Sequence, residues 1–494
     1  MKQTFPHSVT LKTGLKALIV LLLICSALLT LFYLKRANRC QILGLNPLEV
    51  EVLEDHNDAL QRWIEKDVRN SILVNIDAHD DIERIRPEDI EKLRAAYQQR
   101  NLSGGAKTGT AQFRDFPVTN ANFIYAAAKL GIVSKVCWIV PRTYDLFSDS
   151  GDRLRSLLAR YTFSREDINT FRPEGGCFRG SVDGIPFLIC GPDRLPDFGE
   201  PVLLTVDVDF FPEAVSSYRY KLADSVKGTF KALFRKGYEI RDATVAYSVD
   251  GGFLPTYRRW VGDLAVDDLR RPAELSRNEL LERYSILQRA DLLVFMKRYE
   301  DLLNYLVPVM NERDDPSLLT YAAKASFELG WIGKAFDFAE GACLAQKNYC
   351  YGLPELGNAV LDKYGLRAAE RFFRRGYELN PRMDQGQFEF GVALKKAGKY
   401  DEAIESFQVF RSIYGPYPVD FFLAEAYLKK RDKVSAQRYY DSGRAAMMTL
   451  PNAVAGLRDA NAIKRAAQFD DNKGRADYST ELKSIFRASM SGKL

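Results

Sequence analysis

A repeat with a period of 33 or 34 residues constrains the carboxyl-terminal part of this 494-residue chain most strongly. Four alanines mark the period: Ala335, Ala369, Ala403 and Ala436. Small residues stand twelve positions before the last three alanines: Gly357, Gly391 and Ala424. Aromatic residues stand four positions after the same three: Phe373, Phe407 and Tyr440. Because small residues let two helices approach and bulky residues fill the next gap, the pattern predicts stacked helix-turn-helix units.

One unit of this repeat closely resembles a known family. The segment Tyr400 to Phe407, Tyr-Asp-Glu-Ala-Ile-Glu-Ser-Phe, resembles a tetratricopeptide repeat, and Pro381 stands where such a repeat commonly ends. The resemblance covers about Ser317 to Met448, with a degenerate leading repeat expected over Leu280 to Glu312, although Ala339 replaces a usual aromatic. It implies an all-α tetratricopeptide superhelix whose groove binds a protein or peptide partner. A purely structural spacer is the alternative.

An apolar run near the amino terminus predicts a membrane anchor. Ala17 to Leu34 contains no charge and is bracketed by Lys16 and Lys35, which is about the shortest length that spans a bilayer. A cleaved signal peptide is the alternative, but no small-x-small cleavage site follows the run. We therefore expect a tail over 1–16 and one transmembrane helix over 17–34. A short basic tail favours the cytoplasmic side, so the remainder of this single-pass membrane protein is expected on the extracytoplasmic side.

The charges and cysteines exclude some classes of function. The net charge of +5 is spread over 70 basic and 65 acidic residues without a basic stripe, so we do not expect nucleic acid as a partner. Seven cysteines form no Cys-x-x-Cys pair, which argues against a zinc ribbon or a thioredoxin-type motif. Cys137 and Cys190 lie in strand-like runs and are expected to be buried thiols. The cysteines outside the anchor and these two runs could pair in an oxidising compartment.

The part before the repeats has the pattern of an α/β domain. From about Pro47 to Leu264, short apolar runs alternate with helix-like stretches, which predicts a parallel sheet covered by helices. We expect this domain over 41–270, the repeats over 277–460 and a helical tail over 461–494. The segment Asn101 to Pro117 is expected to be a long loop, either a lid or a surface insertion. The predicted strands are Glu49 to Leu53, Ile72 to Ile76, Val133 to Val140, Val202 to Val208 and Thr244 to Val249.

Histidines and carboxylates gather at the ends of these predicted strands. His7 precedes the apolar run, so His56 and His79 are the two histidines left for the rest of the chain. The acidic residues around them follow two strands: Asp77 and Asp81, then Asp207 and Asp209. Alternate residues of an extended chain point the same way, and parallel strands end at one edge of the sheet, so these groups can converge. Divalent metal ordinarily holds such a cluster together, and an oxygen-rich set without thiolate favours manganese over structural zinc.

At these residues the chain resembles the arginase and histone-deacetylase superfamily. The closest likeness is to an uncharacterised arginase-like family with similar Glu-Asp-His and Asp-Ala-His segments, and it runs from about Val50 to Asp250. It implies a three-layer parallel sheet of arginase-like type. The resemblance assigns one metal to His56, Asp77, Asp81 and Asp207. It assigns a second metal to Asp77, His79, Asp207 and Asp209.

The resemblance also implies a reaction. Two divalent ions, manganese or alternatively zinc, would serve hydrolysis of a carbon–nitrogen bond in an amide or guanidino group. In this hypothesis Asp81 orients the attacking water, and Asp80 or a tyrosine relays protons because no further histidine is present. Asp250 lies near the place of the arginase glutamate that grips the guanidinium, although a turn aspartate is the alternative. The Asp-Phe-Phe-Pro segment at 209–212 differs from arginases, so hydrolysis of free arginine is not expected.

Two other functions compete with the metal-dependent hydrolase. One is a membrane-tethered tetratricopeptide scaffold with an inert arginase-like domain. The other is a deacetylase with one zinc ion, which requires the His56 site to be empty. The number of metal ions bound per chain separates the two enzymes.

Overall fold

A computed structural model describes residues 47–98, 118–146, 151–159, 161, 163–215, 221–249, 252–277, 279–312, 315–381, 384–414, 416 and 419–449. The predicted anchor at 17–34, the loop at 101–117 and the tail at 461–494 lie outside the described residues. Within the described ranges, no helix is both long enough and apolar enough to cross a bilayer. The prediction of a single-pass membrane protein is therefore wrong for the part of the chain that the structure describes.

The first part of the chain forms an eight-stranded sheet in the order β1-β8-β7-β2-β3-β6-β5-β4. Strands β2 and β7 lie in the middle of the sheet and are buried along their whole length. This burial explains their apolar sequences, because a strand covered on both faces cannot alternate polar and apolar residues freely. The strands are β1 (Val50–Leu53), β2 (Ser71–Ile76), β3 (Val133–Ile139), β4 (Arg172–Glu174), β5 (Cys177–Val182), β6 (Ile185–Cys190), β7 (Val202–Asp207) and β8 (Ile240–Ala246).

The prediction of a purely parallel, arginase-like sheet is wrong. Six strands are parallel, but β5 runs antiparallel to β6, and β4 runs antiparallel to β5. Two tight turns cause the reversals: Asp183 and Gly184 have φ of 49° and 80°, and Gly175 and Gly176 have φ of 60° and 84°. Pairs of residues with positive φ form the two-residue hairpin turns that match the twist of the flanking strands. The five predicted strands did not include β4, β5 or β6, although the run that ends at Cys190 in β6 has a strand-like sequence.

Helices cover both faces of the sheet. Helices α1, α2 and α3 pack on one face, around Trp63, Leu93 and Phe123. Helices α7 and α8 pack on the other face, around Phe230 and Trp260. The helices of this part are α1 (Asp58–Glu65), α2 (Pro87–Gln98), α3 (Phe123–Lys129), α4 (Asp152–Leu158), α5 (Arg165–Ile168), α6 (Phe210–Glu213), α7 (Leu222–Arg235) and α8 (Trp260–Arg270).

The second part is an array of helix pairs, as the repeat predicts. Each pair turns at a residue with positive φ: Lys297, Gly330, Gly365, Gly398 and Arg431. These turns recur every 33 to 35 residues and include the leading pair, so a tetratricopeptide-like helical array is confirmed. The helices are α9 (Glu282–Phe295), α10 (Tyr299–Met310), α11 (Pro316–Glu328), α12 (Ile332–Ala345), α13 (Gly352–Tyr364), α14 (Leu366–Leu379), α15 (Asp384–Lys396), α16 (Tyr400–Tyr414), α17 (Val419–Lys429) and α18 (Lys433–Thr449).

The prediction that Cys137 and Cys190 are buried thiols is correct for one of the two. Cys137 is a buried free thiol, as expected, but Cys190 forms a disulfide with Cys177. The antiparallel pairing of β5 with β6 brings these two cysteines side by side, and that pairing was not predicted. A second disulfide joins Cys343 to Cys350 near the end of α12.

Candidate metal centre

Six of the eight predicted site residues lie together at the carboxyl edge of the sheet. Strands β2 and β7 are neighbours, and their register pairs Ile76 with Val206. Asp77 follows β2 directly and Asp207 ends β7, so the two carboxylates meet at the same level. His56 lies in the turn between β1 and α1, at the same edge of the sheet, because β1 runs parallel to β8 and β8 runs parallel to β7. The topology therefore brings together groups that are up to 153 residues apart in sequence, from His56 to Asp209.

A first group of ligand atoms surrounds the imidazole of His56. Its Nδ1 atom lies 3.1 Å from Oδ2 of Asp77, 3.0 Å from Oδ2 of Asp81 and 3.6 Å from Oδ2 of Asp207. One ligand atom from each of His56, Asp77 and Asp81 lies within 4.8 Å of the other two. All four residues are buried. This group contains the residues that the resemblance assigns to the first metal.

A second group shares Asp77 with the first. Ligand atoms of Asp77, His79 and Asp209 also lie within 4.8 Å of one another. The Nδ1 atom of His79 lies 3.0 Å from Oδ2 of Asp209 and 3.7 Å from Oδ1 of Asp77. The His79 side chain is 46% exposed, and the ring of Phe253, 5.9 Å away, is exposed as well. The centre therefore opens to solvent on the His79 side.

Burial and neighbouring charges shift the pKa values of the groups in this cluster. Burial, followed by the charges of neighbouring carboxylates, raises the pKa of Asp81 and of Asp207 above the ordinary aspartate value. Burial lowers the pKa of His56, but its hydrogen bonds with Asp77 and Asp81 outweigh burial and hold that pKa well above the usual value. A divalent ion held by these groups would neutralise the carboxylates in place of protons.

Burial and neighbouring charges also shift the pKa values in the second group of ligand atoms. Burial raises the pKa of Asp209. Burial opposes the charged form of His79, yet contacts with Asp209 and Asp77 raise its pKa to about 12. Asp77 is the exception, because its contacts with both histidines outweigh burial and lower its pKa.

The residues present fit a divalent metal. Among the described residues, the Oδ1 atom of Asp209 is buried and has no hydrogen-bond partner. A buried carboxylate oxygen without a donor is costly unless a cation accepts it. Two imidazole nitrogens with carboxylate oxygens form a ligand set suited to manganese or zinc.

Sequence reasoning missed a row of polar residues beneath the cluster. The strand register aligns Asn75, Thr205 and Thr244 on three neighbouring strands, and all three are fully buried. The Oγ1 atom of Thr205 lies 2.7 Å from Nε2 of His56 and accepts a hydrogen bond from Thr244 at 2.8 Å. This contact turns Nδ1 of His56 toward the carboxylates. A signal was available, because Thr205 is the one polar residue in Val202–Val206 and precedes Asp207 by two.

Ser248 is a second residue that sequence reasoning missed. Its hydroxyl donates to Oδ2 of Asp207 at 2.8 Å, and it adopts a φ of 54°, which is unusual for a residue other than glycine. Backbone groups hold the same carboxylates, since the N–H groups of His79 and Asp209 donate to Asp77 and Asp207. The sequence offered no signal for Ser248 beyond its place after a strand.

The predicted catalytic residues have different outcomes. Asp81 lies in the first group and has a φ of 48°. Asp80 is buried but belongs to neither group of ligand atoms. Asp250 lies outside the described residues. The hydroxyls of Tyr144 and Tyr161 both donate to the carbonyl oxygen of Ala78, the residue after Asp77, at 3.0 Å.

No family model and no curated protein matches this chain. Solved structures of MamA are similar to part of it. A MamA crystal structure has 17% sequence identity and a TM-score of 0.26, and covers 32% of this chain and 92% of MamA. A structure of MamA from Desulfovibrio magneticus RS-1 has 15% identity and a TM-score of 0.27, and covers 34% of this chain and 95% of MamA. The arginase-like resemblance finds no support in these comparisons.

Proposed function

We propose that this protein is a hydrolase that depends on two divalent metal ions. The proposal rests on one observation, that two groups of ligand atoms share the carboxylate of Asp77 at an edge of the sheet that opens to solvent. When bound, two divalent ions lower the pKa of water and polarise a substrate, which is the chemistry of hydrolysis. The substrate class in this proposal, carbon–nitrogen bonds of amides or guanidino groups, is what the arginase-like resemblance of the Glu-Asp-His and Asp-Ala-His segments implies.

The chain's own residues have separate tasks in this proposal. Asp77 joins the two halves of the centre, and Thr205 keeps Nδ1 of His56 aimed at the carboxylates. Asp81 lies beside His56 and orients the attacking water. Substrate enters on the exposed side, where Phe253 forms an aromatic wall next to His79. Tyr144 and Tyr161 are poor proton relays, because burial raises the pKa of both phenols.

Metal content and turnover test the proposal together. The full chain is purified with Mn²⁺ or Zn²⁺ and assayed for metal by elemental analysis, beside His56→Ala and Asp209→Ala. Two equivalents in the wild type with partial loss in each variant would support a dinuclear centre, and ureas, guanidines and amides would then be screened. One equivalent that survives His56→Ala would favour the deacetylase alternative. Hydrolysis that persists in both variants would contradict the assignment.

A second candidate is a protein-binding scaffold, favoured by the helix pairs over 316–449. Arrays of this type bind partners along an extended surface. A full-length chain with Asp77→Asn and Asp209→Asn separates the two functions. If that variant loses metal yet retains the cellular role of the wild type, the scaffold function is the correct one. If the role is lost together with metal, the hydrolase is favoured.

A further inference from the structure

We infer that the first helix pairs bind a segment of this same chain, Gly252–Trp260, and thereby hold the metal centre in shape. This inference rests on the proposed metal-dependent function and concerns residues that are not themselves ligands. It assigns the leading repeats a task inside the molecule. The surface that these repeats share contacts the segment that follows Ser248.

The segment contacts the first helix of three successive pairs. The backbone N–H of Thr256 donates to Oε2 of Glu355 in α13 at 2.9 Å. The guanidinium of Arg258 donates to Oδ1 of Asp291 in α9 at 2.8 Å. Between them, the ring of Tyr257 lies 5.2 Å from the ring of Tyr321 in α11. The first helices of the pairs thus form one surface, and the segment lies across it.

This contact is buried and polar. Trp260 is fully buried, and its indole N–H donates to the hydroxyl of Tyr321 at 2.8 Å. Thr256, Asp291 and Glu355 supply further polar groups, and Asp291 is 8% exposed. Removing one member of a buried charged pair leaves the other charge uncompensated. Such a contact therefore strongly favours a single arrangement of the segment on the helices.

The other end of the segment reaches the metal centre. Phe253 lies beside His79, and the backbone N–H of Leu254 donates to the carbonyl oxygen of Ser248 at 3.0 Å. Ser248 in turn donates to Asp207. A conformation with positive φ at such a residue persists when its surroundings determine it. The hydrogen bond from Leu254 is one of those surroundings.

Arg259 supplies a second connection. It is 3% exposed and pairs with Oε2 of Glu54 at 2.9 Å, while Oε1 of Glu54 accepts from the backbone N–H of Val249 at 3.0 Å. The same guanidinium lies 4.3 Å from the ring of Tyr247 and 5.8 Å from that of Tyr349, which precedes α13. Glu54 stands two residues before His56. Arg259 therefore joins the repeats to the turn that carries His56 and to the turn that carries Ser248.

Glu355 and Asp291 are therefore positioning residues, and their substitution should weaken metal binding without removing a ligand. Glu355→Ala and Asp291→Asn are made in the full chain, and Mn²⁺ affinity is measured by calorimetry. We expect weaker binding by at most about tenfold, because loss of a direct hydrogen-bond partner of a ligand costs about 10- to 100-fold and these residues act through the Gly252–Trp260 segment. The matched control is Glu402→Ala, which removes an exposed ion pair with Arg374 in later repeats and should leave affinity unchanged.

Amide hydrogen exchange over residues 247–260 provides a readout that needs no metal. Exchange there should be faster in Glu355→Ala than in the wild type, and unchanged in Glu402→Ala. Wild-type affinity together with wild-type exchange in both variants would overturn the inference. If the wild type binds no Mn²⁺, the proposed function fails, and hydrogen exchange alone still decides the positioning role. Asp291→Asn conserves shape, so it gives the answer if Glu355→Ala fails to fold.

Discussion

At the scale of single residues, the surroundings of His56 are the strongest indication of a metal site. The Nδ1 atom of His56 has three carboxylates within 3.6 Å, and the residue itself is 1% exposed. A satisfied polar cluster would hold one carboxylate for each cationic group. Here four buried aspartates surround two histidines, and one carboxylate oxygen of Asp209 has no donor among the described residues. A divalent ion accounts for this excess of acceptors better than protons do.

Thr205→Val should weaken metal binding although Thr205 is not a ligand. The substitution removes the hydroxyl that faces Nε2 of His56 and leaves the volume nearly unchanged. Loss of a group that orients a metal-binding histidine typically costs about 10- to 100-fold in affinity. Calorimetric titration with Mn²⁺ measures the change, with the buried Thr229→Val in α7 as control. Equal affinity in the two variants would show that Thr205 does not orient the imidazole.

Asp268 should make stability depend on pH. It is 2% exposed in α8, and burial raises its pKa to about 7, with Lys227 and Lys231 opposing and Asp267 and Glu274 adding to the shift. An acid whose pKa is higher in the folded state binds more protons when folded. Stability therefore falls as pH rises between about 4 and about 7, by at most ~1.4 kcal/mol per pH unit, and the full penalty is present above pH ~7.

Asp268→Asn removes this penalty. The variant should gain stability relative to the wild type as pH rises from 4 to 8, because the amide does not ionise. Thermal unfolding at several pH values measures the difference, with the more exposed Asp267→Asn as control. A difference that stays constant over this pH range would contradict the role assigned to burial.

At the scale of elements, local patterns were predictable and non-local ones were not. The ends of β2 and β7 could be located because apolar runs stop there at aspartates. The helix pairs could be located because their spacing recurs along the chain. The row of Asn75, Thr205 and Thr244 could not, since it depends on the register of three strands that are distant in sequence. The hairpins at Gly175–Gly176 and Asp183–Gly184 had a local signal in their turn residues, but β4 has only three residues and all of them are exposed, so it has no apolar pattern.

Gly391→Ala should destabilise the helical array. A Cβ atom at this position would lie 2.6 Å from Cε1 of Phe407, which is fully buried between α15 and α16. Overpacking of this kind costs about 1–3 kcal/mol, so the midpoint of thermal unfolding should fall. Gly333→Ala is the control, because an added Cβ there meets nothing within 4 Å. It should be neutral or stabilise by up to about 1 kcal/mol. A lower midpoint in the control alone would contradict this account of helix packing.

At the scale of the whole molecule, the sheet part and the leading repeats share one hydrophobic core. That core runs from Phe230 and Leu264 in α7 and α8 to Leu287 in α9 and Tyr321 in α11. The change from strands to helices was visible in the sequence near Arg277. The packing across it was not, because no local pattern indicates which helices will cover α8.

Truncation after Ser276 should therefore unfold the sheet part. It exposes the buried faces of α7 and α8, together with the fully buried Trp260. A chain that ends after Pro381 keeps the three pairs that contact the Thr256–Arg258 turn or Trp260, and should retain the native fluorescence of Trp260. Circular dichroism and tryptophan emission of the two chains compare their folding. Cooperative unfolding of the shorter chain at the wild-type temperature would show that the two parts are independent.

The central claim is a centre of two metals joined by Asp77, and metal stoichiometry of the full chain tests it most directly. Elemental analysis after loading with Mn²⁺ should give two equivalents in the wild type, about one in Asp209→Asn and none in Asp77→Asn, because Asp77 belongs to both groups. No bound metal in the wild type after loading would contradict the account.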